Sequence, residues 1–167
     1  LIAEHSPIRD LIFKWRWAAM PHWITTHWVR HRWEKFVRTQ RTDRTGIDRT
    51  KLPQDAPQDF TGEANTQHLI DTQRKRLCYM AAKETREYAE DLKATIHKVE
   101  PEASDVQVPN CVYRCGCPEI GGCKFWDNFV KWCYKFTGGI DIRTCDIQVR
   151  YDMYNDWFYA EHYKEER

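Results

Sequence analysis

Between Arg30 and Arg49 the chain reads RHRWEKFVRTQRTDRTGIDR. Arginine presents its donors in a planar fork, so guanidinium groups at this density can grip phosphate oxygens or nucleobase edges. Thr39, Gln40 and Thr42 interleave neutral donors. The segment suits a nucleotide or flavin phosphate, or a nucleic-acid backbone, and composition does not choose between them. No Gly-rich phosphate loop of Walker or dinucleotide type is present, so anion binding must come from side chains. Gly-x-Ser-x-Gly and His-Glu-x-x-His are absent too.

A second group able to do chemistry is Cys111, Cys115, Cys117 and Cys123, spaced C-x3-C-x-C-x5-C. Four convergent thiolates bind zinc or an iron–sulfur cluster. Zinc ribbons and knuckles usually carry C-x2-C pairs, which this stretch lacks. On a strand, Cys111, Cys115 and Cys117 share one face, and buried thiols pack as small apolar residues. The expectation is no structural metal. The chain has seven cysteines, an odd number, which argues against a closed disulfide framework and for a reducing cytoplasm.

These groups need elements to position them. Phe13-Lys14-Trp15-Arg16-Trp17 alternates apolar and basic residues and predicts a strand with one buried face. Pro21 suits the first turn of a helix, and Trp23 to Trp33 lacks breakers. On such a helix His27, Arg30 and His31 share one face, and Trp28 and Arg32 share another. Basic residues in a last turn also complement the helix dipole, so capping alone accounts for part of this cluster. Residues 42–68 are polar and hold two Gly and two Pro, which predicts a loop or insertion in a single domain spanning 1–167. Leu77, Met80, Ala81, Tyr88, Leu92 and Ile96 recur at helical spacing and predict one long helix over 71–98, closed by Pro101. Asp105 to Cys117 reads as a strand, Phe125 to Tyr134 as an aromatic helix, Gly138-Gly139 as a turn, and Ile142 to Tyr163 as a last amphipathic helix.

Of 167 residues, 41% are hydrophobic and 31% charged, enough for a domain with a core. No apolar run approaches the roughly 18 residues of a membrane span. The net charge of +1 hides an asymmetry: residues 1–50 carry ten Lys/Arg against five Asp/Glu, and the rest carry 16 against 20. Four of the seven His and five of the eight Trp precede residue 34. A basic, aromatic front fits an anionic partner or a solvated basic face. The first residue is Leu1, not Met, which points to a missing N-terminal stretch.

His27-Trp28-Val29-Arg30-His31-Arg32, followed by Thr39-Gln40-Arg41, resembles the signature of flavin-dependent thymidylate synthases, R-H-R and then S-x-R-Y. Glu4-His5 resembles the Glu-His pair before the family's first core strand. Val108-Pro109-Asn110 and Ile147-Gln148 follow the family's order downstream. The resemblance implies an α+β fold, a twisted, mostly antiparallel sheet flanked by helices, in a homotetramer with shared active sites. It implies methylation of dUMP to dTMP in the cytoplasm of a bacterial cell, or of a host if the protein is viral. Methylenetetrahydrofolate gives the carbon, and FAD reduced by NADPH gives the hydride. His5, Arg30, His31, Arg32 and Lys124 would then hold FAD. His27, Arg30, Thr39, Gln40 and Arg41 would bind dUMP, and Arg143 would polarise its uracil. None of the cysteines is needed as a nucleophile.

The chain departs from the pattern in places. Lys35 stands where the family has Ser, Thr39 replaces Ser, Thr42 replaces Tyr, and the run between the motifs is one residue short. Asp105 matches a phosphate-binding Arg, Gly122-x-Lys124 matches Asn-x-Arg by a gapped alignment, and Arg143 is reached only across insertions. The resemblance is therefore to a divergent member, of viral type or one that has lost activity. The rival from another class is a nucleic-acid module, with phosphates on the basic front and bases stacked on Trp. The expectation is no membrane partner, since no apolar run is long enough to span one, and the family reading argues against nucleic acid.

Overall fold

The alternation around Trp15 forms the strand it predicts. β1 (Ile12–Pro21) turns Phe13, Trp15 and Trp17 inward and Lys14 and Arg16 outward. The computed structural model describes residues 1–38 and 40–163, and the chain forms two compact units, one of Ser6–His68 and one of Leu1–His5 with the residues from Leu69 onward. The protein is α+β, with a three-stranded antiparallel sheet in the order β1-β3-β2 and several helices.

In the sheet unit, a 3-10 turn (Ser6–Arg9) leads into β1, then α1 (His22–Trp28), β2 (Glu34–Val37), α2 (Thr42–Thr45), a 3-10 turn (Arg49–Lys51) and β3 (Pro57–Asn65). The expected loop over 42–68 is thus corrected: its last part is the central strand. Gln58, Phe60, Gly62 and Ala64 alternate inward on β3. Small and polar inward residues hid this alternation in the sequence, because a strand is usually recognised by bulky ones. Gly62 is required by close approach: a Cβ there would lie 2.3 Å from the Trp15 ring. The register slips between Trp17 and Met20, where Ala19 has φ 55°, and Asp59 holds this bulge by accepting from Ala19 N–H and Arg16.

The core of the unit is aromatic. Trp28 stacks on Trp33 with ring centroids 5.6 Å apart, Trp17 lies 4.8 Å from Trp28, and Trp15 meets Trp33 edge-on at 4.9 Å. The helix expected over Trp23 to Trp33 stops at Trp28. The packing of Trp33 back onto Trp28, sealed by an indole N–H donated to the Trp28 carbonyl at 3.3 Å, competes with further helical turns.

α3 (Thr66–Arg76) begins in the sheet unit and continues into the helical unit, which holds α4 (Lys83–His97), α5 (Pro101–Asp105), α6 (Asn110–Arg114), α7 (Phe125–Phe136), a 3-10 turn (Ile142–Thr144), α8 (Ile147–Asp156) and a π turn (Trp157–His162). The single helix expected over 71–98 is two helices. Tyr79 leaves the helical path to stack on Phe125, centroids 4.7 Å apart, with the Arg86 guanidinium 4.0 Å from its ring. Met80, expected in the core, is 54% exposed as a result. Pro101 opens α5 at its first turn instead of only closing what precedes it.

The strand expected over Asp105 to Cys117 is also corrected. Pro109 precedes α6 with its φ fixed at −66°, and Cys115 ends that helix in the left-handed region at φ 56°. Proline geometry thus overrides the β propensity of Val and Tyr. The aromatic helix α7 and the turn at Gly138-Gly139 form as expected. The last predicted helix is broken once, because Asp141 caps a 3-10 turn and Asp146 starts α8 afresh, and α8 then runs on into the π turn.

Candidate functional site

α1 ends at Trp28, so Arg30, His31 and Arg32 occupy bends between α1 and β2, not a helical face shared with His27. This corrects the shared-face expectation. The turn is still tightly built. Lys35 reaches back from β2 and donates to the carbonyls of His31 at 2.6 Å and Trp33 at 3.0 Å. The residue that departs from the family pattern is therefore the clamp that shapes the R-H-R turn. The His31 ring packs 5.4 Å from Trp33, while Arg30 and Arg32 are exposed.

Arg32 opens onto a groove of about 420 Å³ within the sheet unit, which Arg9, Trp33, Lys35, Asn65 and His68 help to line. Arg9 lies in the 3-10 turn before β1, Lys35 on β2, and His68 in the first turn of α3, where its N–H donates to the Asn65 side chain at 2.9 Å. Three elements thus bring Arg9, Arg32 and Lys35 to one groove. Glu34 and Glu63 also line it, and Glu63 is paired with Lys14 at 3.1 Å. Guanidinium, ammonium and imidazole donors on one concave surface suit an anionic ligand with several oxygens.

The other expected site residues are dispersed. His27 is half-buried in α1 with its ring 5.7 Å from Trp23. Thr39 lies outside the described residues, and Gln40 is half-buried in an irregular segment. Arg41 precedes α2 and grips Asp43 with two bonds of 3.0 and 2.6 Å. In the helical unit His5 is exposed, and its neighbour Glu4 pairs with Arg74. Lys124 is exposed at φ 61° just before α7. Arg143 makes a two-pronged contact with Asp141 at 2.9 and 2.8 Å, which holds the Asp141 carboxyl down at about 2. Asp105, matched to a phosphate-binding position, has its carboxyl raised by burial and faces Lys93 and His97.

Two buried cations of the helical unit escaped the sequence reading. Arg74 pairs with Glu4 and lies 3.7 Å over the Tyr113 ring. Lys93 is completely buried and donates to the Ser104 carbonyl at 2.7 Å and to Asn155 at 2.8 Å. Burial pulls its ammonium from 10.5 down to about 7. Both sit on amphipathic helices, where Lys and Arg ordinarily face water, so periodicity gave no signal for them.

Comparison with protein-family models, curated proteins and solved structures finds no match. No helix among the described residues is long and apolar enough to cross a membrane.

Proposed function

We propose that this chain is a divergent flavin-dependent thymidylate synthase, which methylates dUMP to dTMP and works as a homotetramer with shared sites. The observation that carries the reading is the Arg30-His31-Arg32 turn, clamped by Lys35, with Arg32 and Arg9 lining a groove that Glu34 and Glu63 also border, beside an antiparallel sheet. Arg9, Arg32 and His68 offer the donors that the phosphates of FAD require, so the residues present fit that cofactor. When bound, FAD supplies the hydride, with NADPH as reductant and methylenetetrahydrofolate as carbon donor. The chain supplies binding and charge. Within the sheet unit Arg30 and Arg32 hold the anionic cofactor, His31 assists, and His27, Thr39, Gln40 and Arg41 bind the nucleotide; His5 and Lys124 are assigned to the cofactor by the resemblance alone. Arg143, exposed and paired with Asp141 in the chain by itself, polarises the uracil ring once the bound nucleotide and a neighbouring subunit exclude water from it. The thymidylate synthase-like sheet-and-helix fold is part of the same proposal.

Release of tritium from dUMP labelled at the carbon to be methylated, in the presence of FAD, NADPH and methylenetetrahydrofolate, tests the reading. Turnover supports it. A flavin-loaded chain without release favours the second reading, a non-catalytic homologue. A specific observation stands behind that second reading: Arg41 and Arg143 are each closed by an aspartate two residues away. The nucleic-acid module is disfavoured because none of the eight Trp is exposed to stack on a base.

A further inference from the structure

The antiparallel sheet ends on one side in β1, and among the described residues no strand pairs with the outer edge of β1. The backbone bonds show what that edge offers. Thr66 N–H donates to the Leu11 carbonyl at 3.0 Å, and Arg38 N–H donates to the Asp59 carbonyl at 3.0 Å. Residues opposite each other in an antiparallel ladder alternate between bonded and unbonded pairs. In the registers of this sheet Phe13, Trp15 and Trp17 therefore bond Ala64, Gly62 and Phe60 of β3, while Asp59, Thr61 and Glu63 bond towards β2. Ile12, Lys14 and Arg16 turn their N–H and C=O groups the other way, to the open edge. Their side chains are exposed on the outer face of the sheet. The bulge after Trp17, with Ala19 at φ 55°, ends the regular stretch, so the open edge is Ile12 to Arg16.

We propose that this edge docks an extended, acidic segment of another protein, which lies antiparallel to β1 as a further strand. The residues of that segment opposite Ile12, Lys14 and Arg16 exchange backbone bonds with the edge. In this mode of recognition main-chain pairing supplies affinity and alternate side chains supply specificity. Charge chooses the occupant. The Lys14 and Arg16 side chains are 67% and 64% exposed, although Lys14 Nζ lies 3.1 Å from Glu63 and Arg16 Nη2 lies 2.8 Å from Asp59. One carboxylate does not exhaust an ammonium with three donors or a guanidinium with five, so both keep donors for a carboxylate on the far side. A second copy of this chain is the wrong occupant. The antiparallel register that overlaps all of Ile12 to Arg16 sets Lys14 against Lys14, and like charges directly opposite destabilise a ladder. Acidic residues opposite Lys14 and Arg16 attract instead. Ile12, 59% exposed, takes an apolar residue opposite it. The intervening residues of the segment lie beside half-buried Phe13 and Trp15 on the inner face, which suits β-branched side chains. From its N-terminus the segment is therefore acidic, β-branched, acidic, β-branched, apolar. This docking is independent of any flavin.

The test is fluorescence anisotropy of a labelled Glu-Val-Glu-Val-Ile peptide titrated with the protein. Saturable binding is expected, and a Lys-Val-Lys-Val-Ile peptide should bind about tenfold more weakly because like charges then face each other. Methylating the backbone nitrogen of the second Glu, which faces Lys14, removes a ladder bond and should weaken binding at least about threefold. Methylating the nitrogen of the first Val, which points away from β1, should leave it unchanged. On the protein, Lys14→Pro removes an edge N–H without touching the bonds to β3 and should weaken binding more than Lys14→Ala, which keeps that N–H. A thermal melt shows whether Lys14→Pro folds, and the two methylated peptides decide the matter on the wild type if it does not. No saturable binding by the wild type overturns the proposal, as does equal binding of the charge-reversed peptide or equal loss from the two methylations. A dimer that Lys14→Pro converts to monomer in sedimentation assigns the edge to a second copy and overturns it too.

Discussion

Arg143 and Arg41 carry their own counter-ions, and this local pairing decides what either can do for a ligand. The Asp141 carboxylate, held near 2, stays charged across any ordinary pH, so acidification does not release Arg143. Substitution does. Asp141→Asn should raise dUMP affinity about two- to fivefold, because solvent screens an exposed pair and little is lost when it is broken. Isothermal titration of dUMP into both proteins measures it. Equal affinities would show that Arg143 does not face the nucleotide. The aspartates at Asp43 and Asp141 were visible in the sequence, yet their bidentate contacts depend on short turns that spacing alone does not define. Lys35 gives the opposite lesson. As a departure from a motif it signalled loss, and in the folded chain it fixes the motif's backbone by bonding two carbonyls.

Elements were legible where burial and propensity agree. β1 alternates Phe and Trp with Lys and Arg, and α7 places aromatic residues at helical spacing, so both stand as expected. β3 was illegible because its inward side is Gln, Phe, Gly and Ala, chosen to admit the Trp15 ring. Gly62→Ala should therefore cost about 1–3 kcal/mol through overpacking, measured by urea unfolding. An unchanged midpoint would mean that Trp15 can move aside. On α4 the cost lies in charge instead. The Lys93 ammonium titrates near 7 when folded and near 10.5 when unfolded, so the unfolded chain binds more protons between these values. Stability then rises with pH through that window. Above about pH 9 the raised Cys133 thiol and Tyr159 phenol oppose the gain, since both keep their protons longer when folded, to about 12. Urea midpoints should increase from pH 7 to pH 9 in the wild type and lose most of that slope in Lys93→Met. Identical slopes would show that Lys93 stays charged in its pocket.

At the scale of the whole molecule, the charge asymmetry follows the division into units. The basic front supplies most of the sheet unit, and its Trp residues turn out to be the core of that unit and not a stacking surface for bases. Composition showed the charge, but it could not show where the aromatic faces point, which only packing decides. The α+β class was an implication of the resemblance, and the strand and helix that periodicity gives at β1 and α7 agree with it. The groove was not legible, because Arg9, Arg32 and His68 are far apart in sequence and meet only through the pairing of β1 and β2 with β3. The central claim is that this groove binds an anionic flavin through Arg32. Its most direct test is FAD titration of the wild type and of Arg32→Ala, with a thermal melt of each in the absence of FAD. The wild type should bind FAD, and the variant should lose about one to two decades of affinity, the worth of a charge-assisted contact, with its melt unchanged because Arg32 is exposed. No FAD binding by the wild type, or equal affinity in the variant, would contradict it.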